Sequence, residues 1–538
     1  MVSEGADRTS RYGDAKPKDF TVEHDIAPEE VAGVVKDMRA VFATERTYSV
    51  EWRKQQLRQF KKMIVECEQE MCAAMKTDLH KSGFEGFCTE LGLVVSEIDV
   101  AISHLDQWMT PNKTSNSALN IPCWSTTQHD PLGVVLVMGA WNYPMQLSLC
   151  PMVGALAGGN CVILKPGSYA VSSSNCLARI VKKYLDPECV RVIEGNRKIT
   201  SALLEQRFDK IFFTGSGYVG RIVLKAAAEH LTPCVLELGG KSPSIIDRSA
   251  NLQHCVDRLI WGTFLNSGQT CVRPDFVMVH ADVADDFFKL VQKTVVKFYG
   301  ENPQKTEWFG RLINDAAFTR LSKLVNEHAD HVVIGGQLDG GDKYISPTVF
   351  DFGTDIKAFS ETSIMRDELF GPLLPCVRYT NFEDVIKFVR DLHTGKPLAL
   401  YAFGTDAKFI ADIKARTTSG GLVINDCLMH LGNHELPFGG VGASGMGNYH
   451  GEYSFKSLTH EKAVLEKSPA IDESILMKPL LQARFPPYTK SKQMLVRLFG
   501  TSFSDTLVNL AMPALRTLFK ILAIYLIFRK LGFKIVRE

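Results

Sequence analysis

The chain has thirteen cysteines but no CxxC pair and no CxxC…HxxxH arrangement. That excludes the usual structural zinc patterns, and it argues for a reducing compartment rather than a disulfide framework. Net charge is almost absent, with 61 Lys+Arg against 60 Asp+Glu, so nothing in the balance points to nucleic acid. There is no internal repeat and no low-complexity segment, and Met1–Phe20 is polar, without an apolar stretch of signal-peptide length. What remains is a globular composition, 45% hydrophobic and 22% charged over 538 residues. A chain of that length supports about two to four folding units, which can join into one body.

The near-neutral total conceals a polarised molecule. From Arg484 to Glu538 ten basic residues face two acidic ones, a surplus of eight that leaves about −7 on the remainder. The same tail contains the most apolar stretch of the chain, Leu507–Phe528.

Val31, Val34, Met38, Val41 and Phe42 recur at helical spacing, and Val50–Leu79 reads the same way, predicting two N-terminal helices. Asn112–Thr127, rich in Ser, Thr, Asn and Pro and carrying Ile121 and Trp124, reads as a connecting arm. Short β runs then alternate with helices: Gly133–Met138, Asn160–Leu164, Val190–Glu194, Lys210–Phe213 and Cys234–Leu238, with a helix over Gly220–Leu231. This repetition predicts an α/β fold with a parallel sheet covered on both faces. A second α/β series runs from about Asn251 to Asn425, followed by a Gly-rich loop over Pro437–Gly451.

Four motifs carry chemistry. Phe213-Thr214-Gly215-Ser216-Gly217-Tyr218-Val219-Gly220 lies where a buried strand gives way to a helix; it suits a pyrophosphate at exposed N–H groups, or simply a tight turn. Val162–Ser168 ends a strand on Lys165 and Pro166, placing one amine at the carboxyl edge of the sheet, where open α/β sheets bind ligands; an exposed lysine is the plain alternative. Glu237, at an apolar strand end before Gly239-Gly240-Lys241-Ser242, is either a general base with a raised pKa or a salt-bridged structural residue. Cys271 follows the Gly-containing turn Asn266–Thr270, after a helical run at Cys255–Leu265. Its thiol would need backbone N–H groups or a positive neighbour to act as a nucleophile, and alone it could equally be a buried structural cysteine, as Cys234 and Cys255 are expected to be.

With Trp141-Asn142-Tyr143-Pro144 upstream and Glu368-Leu369-Phe370-Gly371-Pro372 downstream, the set resembles the aldehyde dehydrogenase superfamily from about Val31 to Lys462. Pro131–Pro144, His230–Pro243, Ser267–Asp275 and Leu436–Gly451 are similar to class 3, the group that includes fatty aldehyde dehydrogenases. The resemblance implies two intimate doubly wound parallel α/β domains. An NAD(P)-binding domain at 27–238 would carry a small oligomerisation arm at 112–130, with a catalytic domain at 239–448, an oligomerisation segment at 449–466 and a membrane-associating tail at 467–538. It implies Cys271 as nucleophile, Glu237 as general base and Asn142 as oxyanion donor. Lys165 and Glu368 would bind ribose hydroxyls, with Ser168 and Phe370 in the same cofactor site and Gly215, Ser216, Gly217, Tyr218, Val219 and Gly220 beside the pyrophosphate. No metal is implied. The expected reaction is oxidation of medium- to long-chain aldehydes to carboxylic acids with NAD(P), in a homodimer. A semialdehyde-specific or thioester-forming dehydrogenase and an inactive membrane-bound NAD(P)-binding module are the alternatives; the second should have lost Cys271, Glu237 or Asn142, and none is lost.

Two positions depart from the family pattern. Lys165-Pro166-Gly167-Ser168 stands where many members have Lys-Pro-Ser-Glu, so a carboxylate that would repel a 2′-phosphate is missing, and NADP is expected alongside NAD. Ser216-Gly217-Tyr218 replaces the more usual Ser-Thr-Gly. In the tail, the 22 residues of Leu507–Phe528 would span ~33 Å as a helix, enough for a ~30 Å hydrocarbon core. Arg516 and Lys520 cost ~2.5–3.5 kcal/mol each, about cancelling what the apolar residues return, so a full span nets near zero. The expectation is an amphipathic, partly inserted C-terminal helix holding the enzyme to the cytosolic face of the endoplasmic reticulum or another intracellular membrane, with a tail-anchored span as runner-up.

Overall fold

Five short runs form the parallel part of the first sheet, and the burial of most of their residues explains why they read so clearly in the sequence, because parallel strands covered on both faces need no polar alternation. In the computed structural model, which describes residues 26–116, 120, 123–467 and 481–500, these strands are β1 (Val134–Met138), β2 (Cys161–Lys165), β3 (Val190–Val192), β4 (Lys210–Thr214) and β5 (Cys234–Glu237). The second sheet contains β6 (Pro243–Ile246), β7 (Phe276–His280), β8 (Val332–Ile334), β9 (Thr348–Asp351), β10 (Leu373–Tyr379), β11 (Ala399–Phe403) and β12 (Gly421–Ile424), in the order β8-β9-β10-β7-β6-β11-β12. All its pairs are parallel except β8 with β9. The second series therefore starts one strand earlier than the sequence suggested, at Pro243.

The first sheet runs β13-β5-β4-β1-β2-β3, where β13 is Gly445–Met446, antiparallel to β5 with Gly445 opposite Glu237. The Gly-rich loop thus returns to the first sheet and covers the strand end that carries Glu237. Gly445 has φ +142, and a Cβ there would lie 2.1 Å from the Leu236 carbonyl oxygen. Only glycine allows that approach.

The N-terminal helices are α1 (Val31–Phe42), α2 (Val50–Glu66) and α3 (Glu68–Leu79). The expected single run Val50–Leu79 breaks at Cys67, whose φ −107 and ψ 12 leave the helical region. The break lets α2 pack on α5 (Gln146–Ala157) while α3 lies along the helix Val171–Tyr184. Between α3 and α5 come a short helix Gly83–Gly86, a π-helical turn Phe87–Leu91 and α4 (Gly92–Met109). Every residue of α5 is buried, as expected of a helix that is apolar all round. The helix expected at Gly220–Leu231 is α6 (Gly217–Glu229); it starts earlier because the Ser216 hydroxyl caps the Val219 N–H. The helix expected at Cys255–Leu265 is α7 (Leu252–Phe264), capped by Asn251.

The chain divides into two units. One, Met1–Trp108 with Asp130–His460, holds both large sheets. The other, Met109–His129 with Glu461–Glu538, contains most of the connecting arm. Strands Asn112–Lys113, Trp124–Pro131 and Thr459–Glu466 make a three-stranded sheet in that order, so the expected arm is a β structure with Thr459–Glu466 at its edge. Ile121 and the apolar stretch Leu507–Phe528 lie outside the described residues. Among the described residues no helix is long and apolar enough to cross a membrane; the last described helix is Lys490–Gly500.

Candidate active site

The thiol of Cys271 is placed by a left-handed turn. Asn266, Ser267 and Gly268 have φ of 53, 53 and +73, and a Cβ at Gly268 would lie 2.3 Å from the Gly371 carbonyl oxygen. Non-glycine residues in this conformation carry strain and persist only when their surroundings fix them. Here the Asn266 side chain donates to the Asn142 carbonyl at 2.7 Å, and Gln269 donates to the carbonyls of Asn266 at 3.1 Å and Arg311 at 2.9 Å. Half-buried Cys271 packs with Tyr169 and Ile313 against Leu79, Trp141, Ala170 and Phe370. Burial, followed by the charges of Glu368 and Glu237, pushes its thiol well above the ordinary range, while the backbone N–H groups of Cys271 and Val272 oppose the shift.

The loop carrying Asn142 is tied to this turn. Asn142 Nδ2 donates to the Gln269 carbonyl at 2.9 Å, and the Tyr143 hydroxyl meets Thr270 Oγ1 at 2.6 Å. An amide nitrogen carries two N–H groups, so a second remains for an oxygen developing on the carbon that Cys271 attacks.

Glu237 ends β5 at 3% exposure, and among the described residues neither carboxylate oxygen accepts a hydrogen bond. Burial pushes its pKa well above the usual carboxylate range, the direction a general base working near neutral pH requires. Among the described residues Glu237 makes no salt bridge.

Glu368 is buried, and its charge is felt at Cys271, Lys241 and Arg273. Three residues that sequence reasoning left without a role hold its segment. Lys241 pairs with Asp275 at 2.6 Å and donates to the carbonyls of Ile364 at 2.9 Å and Asp367 at 3.0 Å, while Asp275 accepts from the Leu369 N–H at 3.1 Å. Arg273 donates to the carbonyls of Gly371 and Leu373. All three charges lay inside quoted motifs, and a fixed charge within an apolar motif was the available signal.

The cofactor-site candidates gather at the carboxyl edge of the first sheet. Lys165 is buried at the end of β2 and donates to the Pro166 carbonyl at 2.9 Å and to Ser168 Oγ at 2.6 Å. Burial lowers its pKa to about 8, against the opposing charge of Glu194, a buried carboxylate the sequence analysis did not single out. Ser168 in turn donates to the Gly195 carbonyl at 3.0 Å. With that proton engaged, what distinguishes Ser168 from a carboxylate is its neutrality rather than a free donor. Gly215, Ser216, Gly217 and Val219 are half-buried around the start of α6, Gly220 is buried and Tyr218 is exposed. At the end of β4 the buried Thr214 hydroxyl has no partner among the described residues. An amine, a neutral hydroxyl, an orphaned hydroxyl and a helix N-terminus converging on one sheet edge fit a dinucleotide. Phe370, at φ 51, lies instead with Trp141, 5.5 Å between ring centroids, beside Cys271.

Among the described residues no group of three His, Cys, Asp or Glu side chains could hold a metal ion. The sequence model of the Aldehyde dehydrogenase family matches residues 11–464. Aldehyde dehydrogenase family 3 member B1 of Rattus norvegicus is 41% identical over 456 residues, covering 85% of this chain and 94% of that protein. The 4,4'-diaponeurosporen-aldehyde dehydrogenase of Staphylococcus aureus is 39% identical over 443 residues, covering 82% and 95% respectively. The substrate-bound state of Staphylococcus aureus AldH superposes with a TM-score of 0.82 at 38% identity, covering 87% of this chain and 99% of that one.

Proposed function

The chain belongs to the aldehyde dehydrogenase family, an NAD(P)-dependent enzyme family, and from that premise we propose that it oxidises medium- to long-chain fatty aldehydes through Cys271, Glu237 and Asn142. The Cys271 thiol gives up its proton to solvent as its sulfur attacks the aldehyde carbon, and the developing oxyanion is received by the Asn142 amide and the Cys271 backbone N–H; one such donor is worth ~10²–10³ in rate. Bound NAD(P) supplies the hydride acceptor. Lys165 and Glu368 would hold its ribose hydroxyls and Gly215–Gly220 its pyrophosphate, with Ser168 beside Lys165, while Phe370 lines the side of the site next to Cys271. A thioester remains on Cys271. Glu237 takes a proton from water, the resulting hydroxide attacks the thioester carbon, and the C–S bond breaks to give carboxylate and free thiol.

The observation that carries this reading is the carboxylate of Glu237, buried yet accepting no hydrogen bond among the described residues. A purely structural carboxylate would be expected to have a partner. The preference for long aldehydes is supported by the relative named for 4,4'-diaponeurosporen-aldehyde and by the tail. An NAD(P)H absorbance assay across C2–C18 aldehydes should show kcat/KM rising with chain length; a maximum at C2–C4 would contradict it.

Membrane attachment and dimerisation complete the proposal. The helix Lys490–Gly500 places Lys490, Met494 and Arg497 along one face at i, i+4, i+7 spacing, with Met494 71% exposed, and Tyr488 just before the helix is 79% exposed. Basic residues beside exposed apolar ones suit an anionic lipid surface. Deleting 484–538, this helix together with the apolar stretch that follows it, should release the protein from membranes; sedimentation with them after a high-salt wash would place the anchor elsewhere. A homodimer through the segment 449–466 belongs to the same proposal; that segment includes Thr459–Glu466, an edge strand of its sheet among the described residues. Light scattering showing a monomer at micromolar concentration would refute that.

A further inference from the structure

Lys81 and Glu90 form an ion pair with both side chains fully buried, 2.5 Å apart, a short distance from the nucleophile's turn. Neither residue was needed to describe the reaction, and a pair removed from water in this way is weak evidence for stability. Its connections point elsewhere. Lys81 Nζ also donates to the Asn142 carbonyl at 3.3 Å and stands 4.1 Å from the centroid of the Tyr143 ring. Glu90 Oε2 accepts from the N–H groups of Met145 at 2.8 Å and Gln146 at 3.2 Å, at the start of α5. A carboxylate there satisfies N–H groups that the helix itself leaves open. Asn142–Gln146 is therefore gripped at both ends by one ion pair. Glu90 projects from the π-helical turn Phe87–Leu91, a local irregularity often found at functional sites. Glu85, in the short helix Gly83–Gly86 just before that turn, accepts the Asn266 N–H at 2.8 Å, so this corner also touches the turn that delivers Cys271.

We propose that the Lys81–Glu90 pair is the positioning element of the oxyanion donor: it fixes the Asn142 backbone and the start of α5, so that the Asn142 amide keeps one N–H on Gln269 and presents the other to the carbon attacked by Cys271. The proposal rests on reading Asn142 as that donor. Lys81 and Glu90 are positioning residues, since both act through Asn142. Loss of the grip should lower kcat and leave cofactor binding intact.

The test uses the full-length enzyme and a double-mutant cycle. Lys81→Met with Glu90→Gln removes both charges while keeping volume, so that no unpaired charge is left buried. Glu90→Asp keeps the pair's charges and shortens the reach by one methylene, which provides a second variant should the first fold poorly. Each is made with and without Asn142→Ala. Steady-state kcat and KM, the thermal midpoint and the Kd for NAD by fluorescence titration are measured together. The expected result is a ~10- to 100-fold fall in kcat with the Kd for NAD unchanged. In the Asn142→Ala background the same substitutions should change kcat by less than about threefold, because the residue through which they act is gone. An unchanged kcat in properly folded variants, or an equal fall in both backgrounds, overturns the positioning role. Should Asn142→Ala alone retain full kcat, the oxyanion assignment itself fails, and the positioning role fails with it.

Discussion

At the Tyr143 corner, Glu90 is fully buried beside an ammonium group, and its second oxygen receives two backbone N–H groups. At the end of β5, Glu237 is 3% exposed, and among the described residues its oxygens accept nothing. The two carboxylates share one unit and nearly the same burial. The difference lies in their partners. A carboxylate supplied with positive charge and N–H donors becomes a strut, whereas one deprived of both holds its proton more tightly and can take one from water.

The sharpest way to break this contrast is to neutralise each carboxylate. Glu237→Gln should lower steady-state kcat by ~10²–10⁴, the usual worth of a general base, while Glu90→Gln acts only through geometry and costs less. Equal losses in a steady-state assay would erase the distinction.

Stability should order the two corners the other way. Lys81→Met leaves Glu90 as an uncompensated buried charge and should cost ~3–5 kcal/mol in urea unfolding. Glu237→Gln should not destabilise, since among the described residues Glu237 has no partner to lose. A Lys81→Met variant with an unshifted urea midpoint would show that the pair is not a strut.

A third carboxylate can be installed at the cofactor edge. Ser168→Glu would place one beside Lys165, paired as Glu90 is with Lys81, where a 2′-phosphate would meet like charge. Such clashes cost several kcal/mol, so kcat/KM for NADP should fall by about tenfold or more relative to NAD. Competition by 2′,5′-ADP should weaken in parallel. An unchanged NADP to NAD ratio would mean that position 168 does not govern the choice.

The smallest effect concerns pH. The folded-state pKa of Glu237 lies above its unfolded value, so burial opposes ionisation, and the protein loses stability as pH rises from the unfolded value towards the folded one. Relative to wild type, Glu237→Gln should therefore have a higher Tm at pH 8, with the gain shrinking towards pH 4–5. A gain that grows on acidification would reverse the sign and refute the burial argument.

The parallel strands of the first sheet were legible because most are short apolar runs, Val134–Met138 and Cys161–Leu164 above all, and the left-handed turn before Cys271 announced itself through Gly268. The strand Pro243–Ile246 was missed because it follows the polar Lys241-Ser242 and begins with proline. The two-residue strand Gly445–Met446 has no periodicity to read, although it covers Glu237. The Lys81–Glu90 pair was invisible for a different reason: the two residues are nine apart and look like any solvated charge pair, and the contact that gives them meaning, from Lys81 to Asn142, spans 61 residues. Ion pairs of long range are written in the fold rather than in local pattern. The roles of Cys271, Glu237 and Asn142 came from motif resemblance, and their burial and hydrogen bonding came from the structure.

The central claim is a division of labour between Cys271 and Glu237, and a rapid-mixing experiment on Glu237→Gln addresses it most directly. With saturating aldehyde and NAD, the variant should release about one equivalent of NADH per active site in a burst and then stall, with mass spectrometry of the quenched protein showing the acyl group on Cys271. Sustained turnover at the wild-type rate with no acyl group on Cys271 would contradict the account and assign the base elsewhere.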